Sequence, residues 1–336
     1  ESGCLRSLRN VQNKQSLFYM ETLQNEFLTV EVSDLGAELQ SIKDADEHEY
    51  LWQGDDKYWG RRSPILFPIV CGLYQGTYRT EGGTFQLGRH GFARDMNFRL
   101  LRHSDDKVTY VLSETEHTLR QYPYRFMLSV TYKLVDNEIH VIWHVYNTDT
   151  KEIHFQIGAH PAFRLPGVKE GDDVKGVLRF DNNGHIERIY GNHEGCITSD
   201  RYALEGVQDG LWAFTEEDFK DDAVILDQSQ IHAIDILSPV TGEAEVSVEF
   251  SAPCVGVWTP YGKKAPFICL EPWYGVHDHL GYKGQLRDKY LMNHLQPGAS
   301  FMSEYVIRIS VTLLLWLKRK AVLRHGRTNM MPYVLT

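Results

Sequence analysis

Phe126-Met-Leu-Ser-Val-Thr-Tyr-Lys-Leu134, then Asp136-Asn137, then Ile139-His-Val-Ile-Trp-His-Val-Tyr146 is the stretch that decides the fold class. In both arms apolar side chains take every second position: Phe126, Leu128, Val130, Tyr132 and Leu134, then Ile139, Val141, Trp143 and Val145. That period of two gives a strand one buried and one wet face, whereas a helix needs a period near 3.6. Asp and Asn tolerate the left-handed backbone of a tight turn, so the two arms read as a β-hairpin.

The same alternation appears in Phe27-Leu-Thr-Val-Glu-Val-Ser33, Val108-Thr-Tyr-Val-Leu-Ser113 and Ala244-Glu-Val-Ser-Val-Glu-Phe250, and Asn182-Asn183-Gly184 marks another turn. Helical periodicity is scarce. No internal repeat, low-complexity tract or Pro/Gly-rich linker divides the chain. The expectation is one antiparallel all-β domain over about residues 20–310, with sheets stacked on each other. Pattern alone does not separate a sandwich from a barrel.

The ends differ in character. Residues 1–19 precede the first methionine, Met20, which opens directly into strand pattern and is the expected natural start. Ser303 to Ser310 still alternates, but Val311 to Leu317 is Leu-rich and is followed by Lys318, Arg319, Lys320, Arg324 and Arg327. The apolar run is far short of the ~20 residues a membrane span needs. Residues 311–336 therefore read as a short appended helix or as sequence foreign to the domain.

The 336 residues are 42% hydrophobic and 24% charged, the balance of an ordinary globular protein. A formal net charge of −10 gives no sign of the positive field a nucleic-acid binder carries. Five cysteines, an odd number without C-x-x-C spacing, read as reduced thiols, and the first twenty residues lack the apolar core of a secretory signal. A cytoplasmic location is expected.

Four segments set polar groups among apolar and aromatic ones: Trp59-Gly-Arg-Arg-Ser-Pro-Ile-Leu-Phe-Pro68, Arg89-His-Gly-Phe-Ala-Arg-Asp95, Ile157-Gly-Ala-His-Pro-Ala-Phe163 and Phe267-Ile-Cys-Leu-Glu-Pro-Trp-Tyr-Gly275. Glu271 follows an apolar run, so partial desolvation should raise its pKa and strengthen it as a base; a structural ion pair is the alternative. His160 precedes Pro161, which interrupts a strand ladder, and an imidazole exchanges protons near neutrality; a hydrogen-bonded core histidine fits the same letters. His90 lies among Arg89, Arg94 and Asp95, as a binding donor or in a surface turn. His277-Asp-His279, with Glu271 or His294, has the donor types of a metal site, yet no tight spacing motif supports it over a polar loop. There is no G-x-G-x-x-G, P-loop or nucleophile elbow. Trp59, Phe92, Phe163, Trp273 and Tyr274 flank these segments and serve either the core or a ligand.

In this order, Arg61-Arg-Ser-Pro-Ile-Leu-Phe-Pro68, His90-Gly-Phe-Ala-Arg94, Gly158-Ala-His-Pro-Ala-Phe163 and Leu270-Glu-Pro-Trp273 resemble the successive motifs of the aldose 1-epimerase, or galactose mutarotase-like, family, most nearly its bacterial LacX-type branch. The likeness runs from about Met20 to Ser310. It implies a β-sandwich of large antiparallel sheets, with a free sugar bound in a cleft on the concave face, and neither metal nor organic cofactor. Carried over by motif, Glu271 is the implied catalytic base and His160 the catalytic acid. His90, Arg62 and Asp222 are implied substrate-binding groups, the last beside an equally eligible Asp221. The His90-Gly-Phe form, in place of His-Gly-Gly, also resembles the hexose-6-phosphate epimerase branch, in which Arg62 or Arg94 would meet a phosphate. A non-catalytic sugar-binding protein on the same fold is the remaining alternative.

Overall fold

The structure, a computed structural model, describes residues 19–191 and 194–310. The two terminal segments singled out above, apart from Tyr19, lie outside them. In the decisive stretch, Phe126–Val135 and Glu138–Asn147 pair antiparallel with Leu134 opposite Ile139 and Val130 opposite Trp143. Asp136 at the turn has φ 51°, the left-handed conformation its side chain tolerates. The apolar positions named from the alternation are buried.

This hairpin belongs to a ten-stranded antiparallel sheet. Its order is Val207–Gln208, Leu211–Thr215, Lys175–Phe180, Ala233–Leu237, Ala244–Phe250, Ser300–Ile309, Glu138–Asn147, Phe126–Val135, Lys107–Ser113 and Arg99–Ser104. A second sheet runs Ile197–Ala203, Glu187–Gly191, Val224–Leu226, Cys254–Trp258, Phe267–Tyr274, Ile157–Ala159 and Ile65–Leu66, with Ala162–Arg164 also pairing Phe267–Tyr274. Trp143 and Tyr305 of the first sheet share one apolar cluster with Val224, Val255, Val257, Ile268 and Leu270 of the second. The two sheets thus pack as a β-sandwich, which resolves the choice between sandwich and barrel.

Phe267–Tyr274 is buried almost throughout because both of its faces are covered. Ile268 and Leu270 point into the core between the sheets. Phe267, Cys269 and Trp273 point the other way, into two smaller clusters on the outer face. By the period of two, Glu271 shares that outer face. The strand binds the sandwich together with one side and presents a carboxyl with the other.

Candidate active site

Neighbouring strands decide what stands next to Glu271. On one side Gly256 is its register partner. On the other, Gly158 pairs with Trp273 and Ala162 with Cys269, and both pairings belong to one register. Extended across the gap, that register sets His160 opposite Glu271. Pro161 has no N–H to continue the ladder, so the chain bends there while its carbonyl still accepts from the Leu270 N–H at 3.2 Å. The interruption read from the sequence at Pro161 therefore places an imidazole directly across from a carboxyl. His160 Nε2 lies 3.2 Å from Glu271 Oε2.

Both groups are removed from water: Glu271 is 1% exposed and His160 7%. Burial, the largest influence on each, raises the Glu271 pKa well above the ordinary carboxylate value and lowers the His160 pKa well below the ordinary imidazole value. The positive charge of Arg89 opposes the first shift and adds to the second. The Trp59 ring stacks on the imidazole, with centroids 4.7 Å apart and planes 25° apart, and Trp258 and His90 meet it edge-on at 5.7 and 5.5 Å. The ring is thereby held on three sides.

Trp273 is held by absence of side chains. A Cβ on Gly256 would lie 2.4 Å from its Cη2 atom, and one on Gly158 would lie 2.7 Å from its Cδ1. Two glycines on flanking strands make the slot for one indole.

Above this row opens a cleft of about 200 Å³ lined by Trp59, Arg89, His90, Arg94, His160, Asp222, Ala223, Trp258, Glu271 and Trp273. That is the scale of one small ring rather than a drug-sized ligand, whose pockets run from about 300 Å³. His90 takes φ 68°, and its Nδ1 accepts from the Cys71 backbone N–H at 3.1 Å. A neutral imidazole has one acceptor nitrogen. The fixed amide occupies it, so the proton sits on Nε2, and the 3.4 Å approach of Arg89 Nε to that atom is a contact between two donors. Burial lowers the His90 pKa well below its ordinary value, which keeps the ring neutral. Asp222 reaches the cleft from a turn with φ 84°, and Arg89 Nη2 donates to its Oδ2 at 2.9 Å. Asp222, not Asp221, lines the cleft. Arg94 Nη2 donates to the Arg89 carbonyl at 2.8 Å, while its buried Nε makes no hydrogen bond; desolvation pushes its pKa down to about 10.

Five of the six residues chosen from the sequence thus converge, and Arg62 does not. Its Nη1 donates to the Gln40 carbonyl and to Gln40 Oε1, at 3.1 and 2.8 Å, outside the cleft lining. Its backbone N–H and that of Ser63 donate to Glu38 Oε1. The guanidinium beside the Glu271–His160 pair is that of Arg89, which the motif reading passed over although it adjoins His90. Trp258 was missed as well, since its strand carries no polar signal. Among the flanking aromatics, Trp59 and Trp273 line the cleft, while Phe92 and Phe163 belong to the core. His277 Nδ1 contacts the Gly195 carbonyl at 2.7 Å, and His279 packs on Tyr290. Neither joins the two close groups of metal-ligating side chains among the described residues, Glu152 with His154 and His294, and His160 with Cys269 and Glu271. The four described cysteines are buried thiols. No helix among the described residues is long and apolar enough to cross a membrane.

A two-sheet antiparallel sandwich with this strand order is the galactose mutarotase-like fold. A galactose mutarotase-like protein from Lactobacillus casei superposes with a TM-score of 0.82 at 31% identity, covering 87% of this chain and 100% of that one. The galactose mutarotase related enzyme from Lactobacillus acidophilus gives 0.81 at 32%, covering 87% and 98%. Residues 19–280 match the aldose 1-epimerase family model, and the chain belongs to that family. Protein LacX of Lactococcus lactis subsp. lactis is 33% identical over 306 residues, covering 85% of this chain and 98% of LacX.

Proposed function

We propose that the protein is an aldose 1-epimerase that interconverts the α and β anomers of an aldohexose, with Glu271 as base and His160 as acid. The observation that carries the reading is the pair itself: a carboxyl and an imidazole 3.2 Å apart, both buried, at the floor of a cleft sized for one ring.

Anomer exchange needs a proton taken from the C1 hydroxyl and one given to the ring oxygen, two atoms bonded to the same carbon. In the productive state Glu271 is ionised and His160 protonated. The carboxylate takes the hydroxyl proton as the imidazolium protonates the ring oxygen, the C1–O5 bond breaks, and a carbonyl forms at C1. Rotation about C1–C2 presents the other carbonyl face. O5 attacks C1, its proton returns to His160, and Glu271 returns its proton to the carbonyl oxygen. Protons balance, and no redox partner enters. In this reading His90 Nε2–H donates to the ring oxygen or an adjacent hydroxyl, and Asp222, held by Arg89, accepts from hydroxyls. Trp59 and Trp258 offer apolar faces to the sugar's C–H face.

A second reading, in which the substrate is a hexose 6-phosphate, draws support from Arg94, a guanidinium in the cleft lining whose Nε makes no hydrogen bond. The test is anomer exchange followed by NMR magnetisation transfer on glucose, galactose and glucose 6-phosphate, with wild type beside Glu271→Gln. Enzyme-dependent exchange lost in the variant is expected, and the sugar giving the fastest exchange identifies the branch. Folded protein that exchanges none of them above the spontaneous rate would refute the epimerase reading in favour of sugar binding without catalysis.

A further inference from the structure

A second cluster of donors stands apart from the cleft. Ile153–Phe155 and Asn293–Leu295 form a two-stranded antiparallel ribbon with His154 directly opposite His294. Glu152, two residues before His154, projects from the same face. Its Oε2 lies 3.8 Å from His154 Nε2 and 3.9 Å from His294 Nδ1. Donor atoms of all three lie within 4.8 Å of one another.

The spacing is informative. Direct N–H···O hydrogen bonds close to about 2.7–3.2 Å, so the carboxylate does not simply bridge the two rings. Donors around a tetrahedral ion bound at about 2.0–2.1 Å stand roughly 3.3 Å apart. From separations of up to 4.8 Å, a movement of up to about 0.75 Å per donor closes the difference.

Two independent features point the same way. Gln296 Nε2 donates to Glu152 Oε1 at 2.5 Å, which anchors one carboxylate oxygen and leaves the other turned toward the imidazoles. Metal-binding carboxylates are held by outer partners in this manner. His154 itself is only 8% exposed, with Tyr124 edge-on to its ring, and its buried Nδ1 makes no hydrogen bond. Packed in this way, the ring presents Nε2 to the carboxylate. A cavity of about 280 Å³ opens alongside, lined by Glu152 and His154 with Arg79, Glu81 and Arg287. The charge of Arg287 is answered by Glu81 at 2.7 Å.

We propose that Glu152, His154 and His294 bind one divalent transition-metal ion of the zinc class, with solvent completing the coordination from the cavity. Two imidazoles and one carboxylate favour zinc, nickel or copper over calcium or magnesium, which prefer oxygen alone.

The test uses the full chain, stripped with EDTA and titrated with Zn²⁺ by calorimetry, with Co²⁺ absorption as a second probe. One saturable site is expected. His294→Gln and Glu152→Gln, both at half-open positions and so compatible with folding, should each weaken binding at least 10-fold, and Gln296→Ala should weaken it in the same direction. The His160, Cys269 and Glu271 group is the internal control, so Glu271→Gln should leave the affinity unchanged. Absence of saturable binding overturns the proposal. So does equal affinity in wild type and the Glu152→Gln/His294→Gln double variant, or loss of binding in Glu271→Gln alone, which would move the ion to the cleft.

Discussion

Replacing Gly256 by alanine adds one methyl group and tests the slot that holds Trp273 beside the Glu271 carboxyl. The new Cβ would stand 2.4 Å from Cη2 and 2.5 Å from Cζ2, against an ordinary contact of 3.4–4 Å, so the indole must retreat by about an ångström. The indole is 1% exposed and already fills the space toward Gly158, so little room is available. Overpacking of a tight site costs about 1–3 kcal/mol. At roughly 2–4 °C per kcal/mol for a chain of this order of size, Tm should fall by about 2–12 °C. Because Gly256 is also the register partner of Glu271, kcat for anomer exchange should fall with it. Gly88→Ala is the control, since a Cβ there meets nothing within 4 Å. Calorimetry and NMR exchange on the two variants decide the matter. A Gly256→Ala protein with the Tm and kcat of the Gly88→Ala protein would show that the indole slot is not tight, and the reasoning would fail.

Four other outcomes are expected. Glu271→Gln and His160→Asn should each lower kcat by roughly 10²–10⁴ while the protein stays folded by circular dichroism. Burial raises the Glu271 pKa and lowers that of His160, so both groups carry protons together only below the ordinary imidazole value of about 6.5. The rate profile should therefore show its acid limb below that value, and an acid limb at or above it contradicts the reasoning. Asp222→Asn should raise KM more than it lowers kcat, because in the proposed mechanism the carboxylate grips hydroxyls rather than moving the proton, and steady-state kinetics would expose the opposite split. Lys289 and Asp278, both 2% exposed and 3.2 Å apart, form a buried ion pair, so Lys289→Met should destabilise by about 3–5 kcal/mol in urea unfolding by leaving one charge unmatched.

Strand identity was legible wherever one face is wet, because alternation is a local property: Phe126–Val135 could be read without knowing its neighbours. Pairing was not. Ser300–Ile309 lies between Glu138–Asn147 and Ala244–Phe250, partners far away in sequence that no local pattern names. At the site, Glu271 and His160 were visible because a charge in an apolar run and an X-Pro interruption are both local anomalies. Arg62 and Arg89 look alike as letters, and only the left-handed turn at His90 and the tether from Arg62 to Gln40 decide which one faces the cleft. Asp222 is separated from Asp221 by the same kind of fact, a backbone angle that composition does not encode.

The position of Ser300–Ile309 also governs how the chain comes together as it is made. It is the last strand to be synthesised among the described residues, yet it sits in the middle of the larger sheet. Until it emerges, Glu138–Asn147 and Ala244–Phe250 both offer bare edges, the hydrogen-bonding templates on which unfinished chains recruit one another. A stop codon shortly before residue 300 would therefore do more than trim an end. It would split the ten-stranded sheet into two halves with sticky margins, and the natural fate of such a fragment is aggregation or degradation rather than a weakened enzyme.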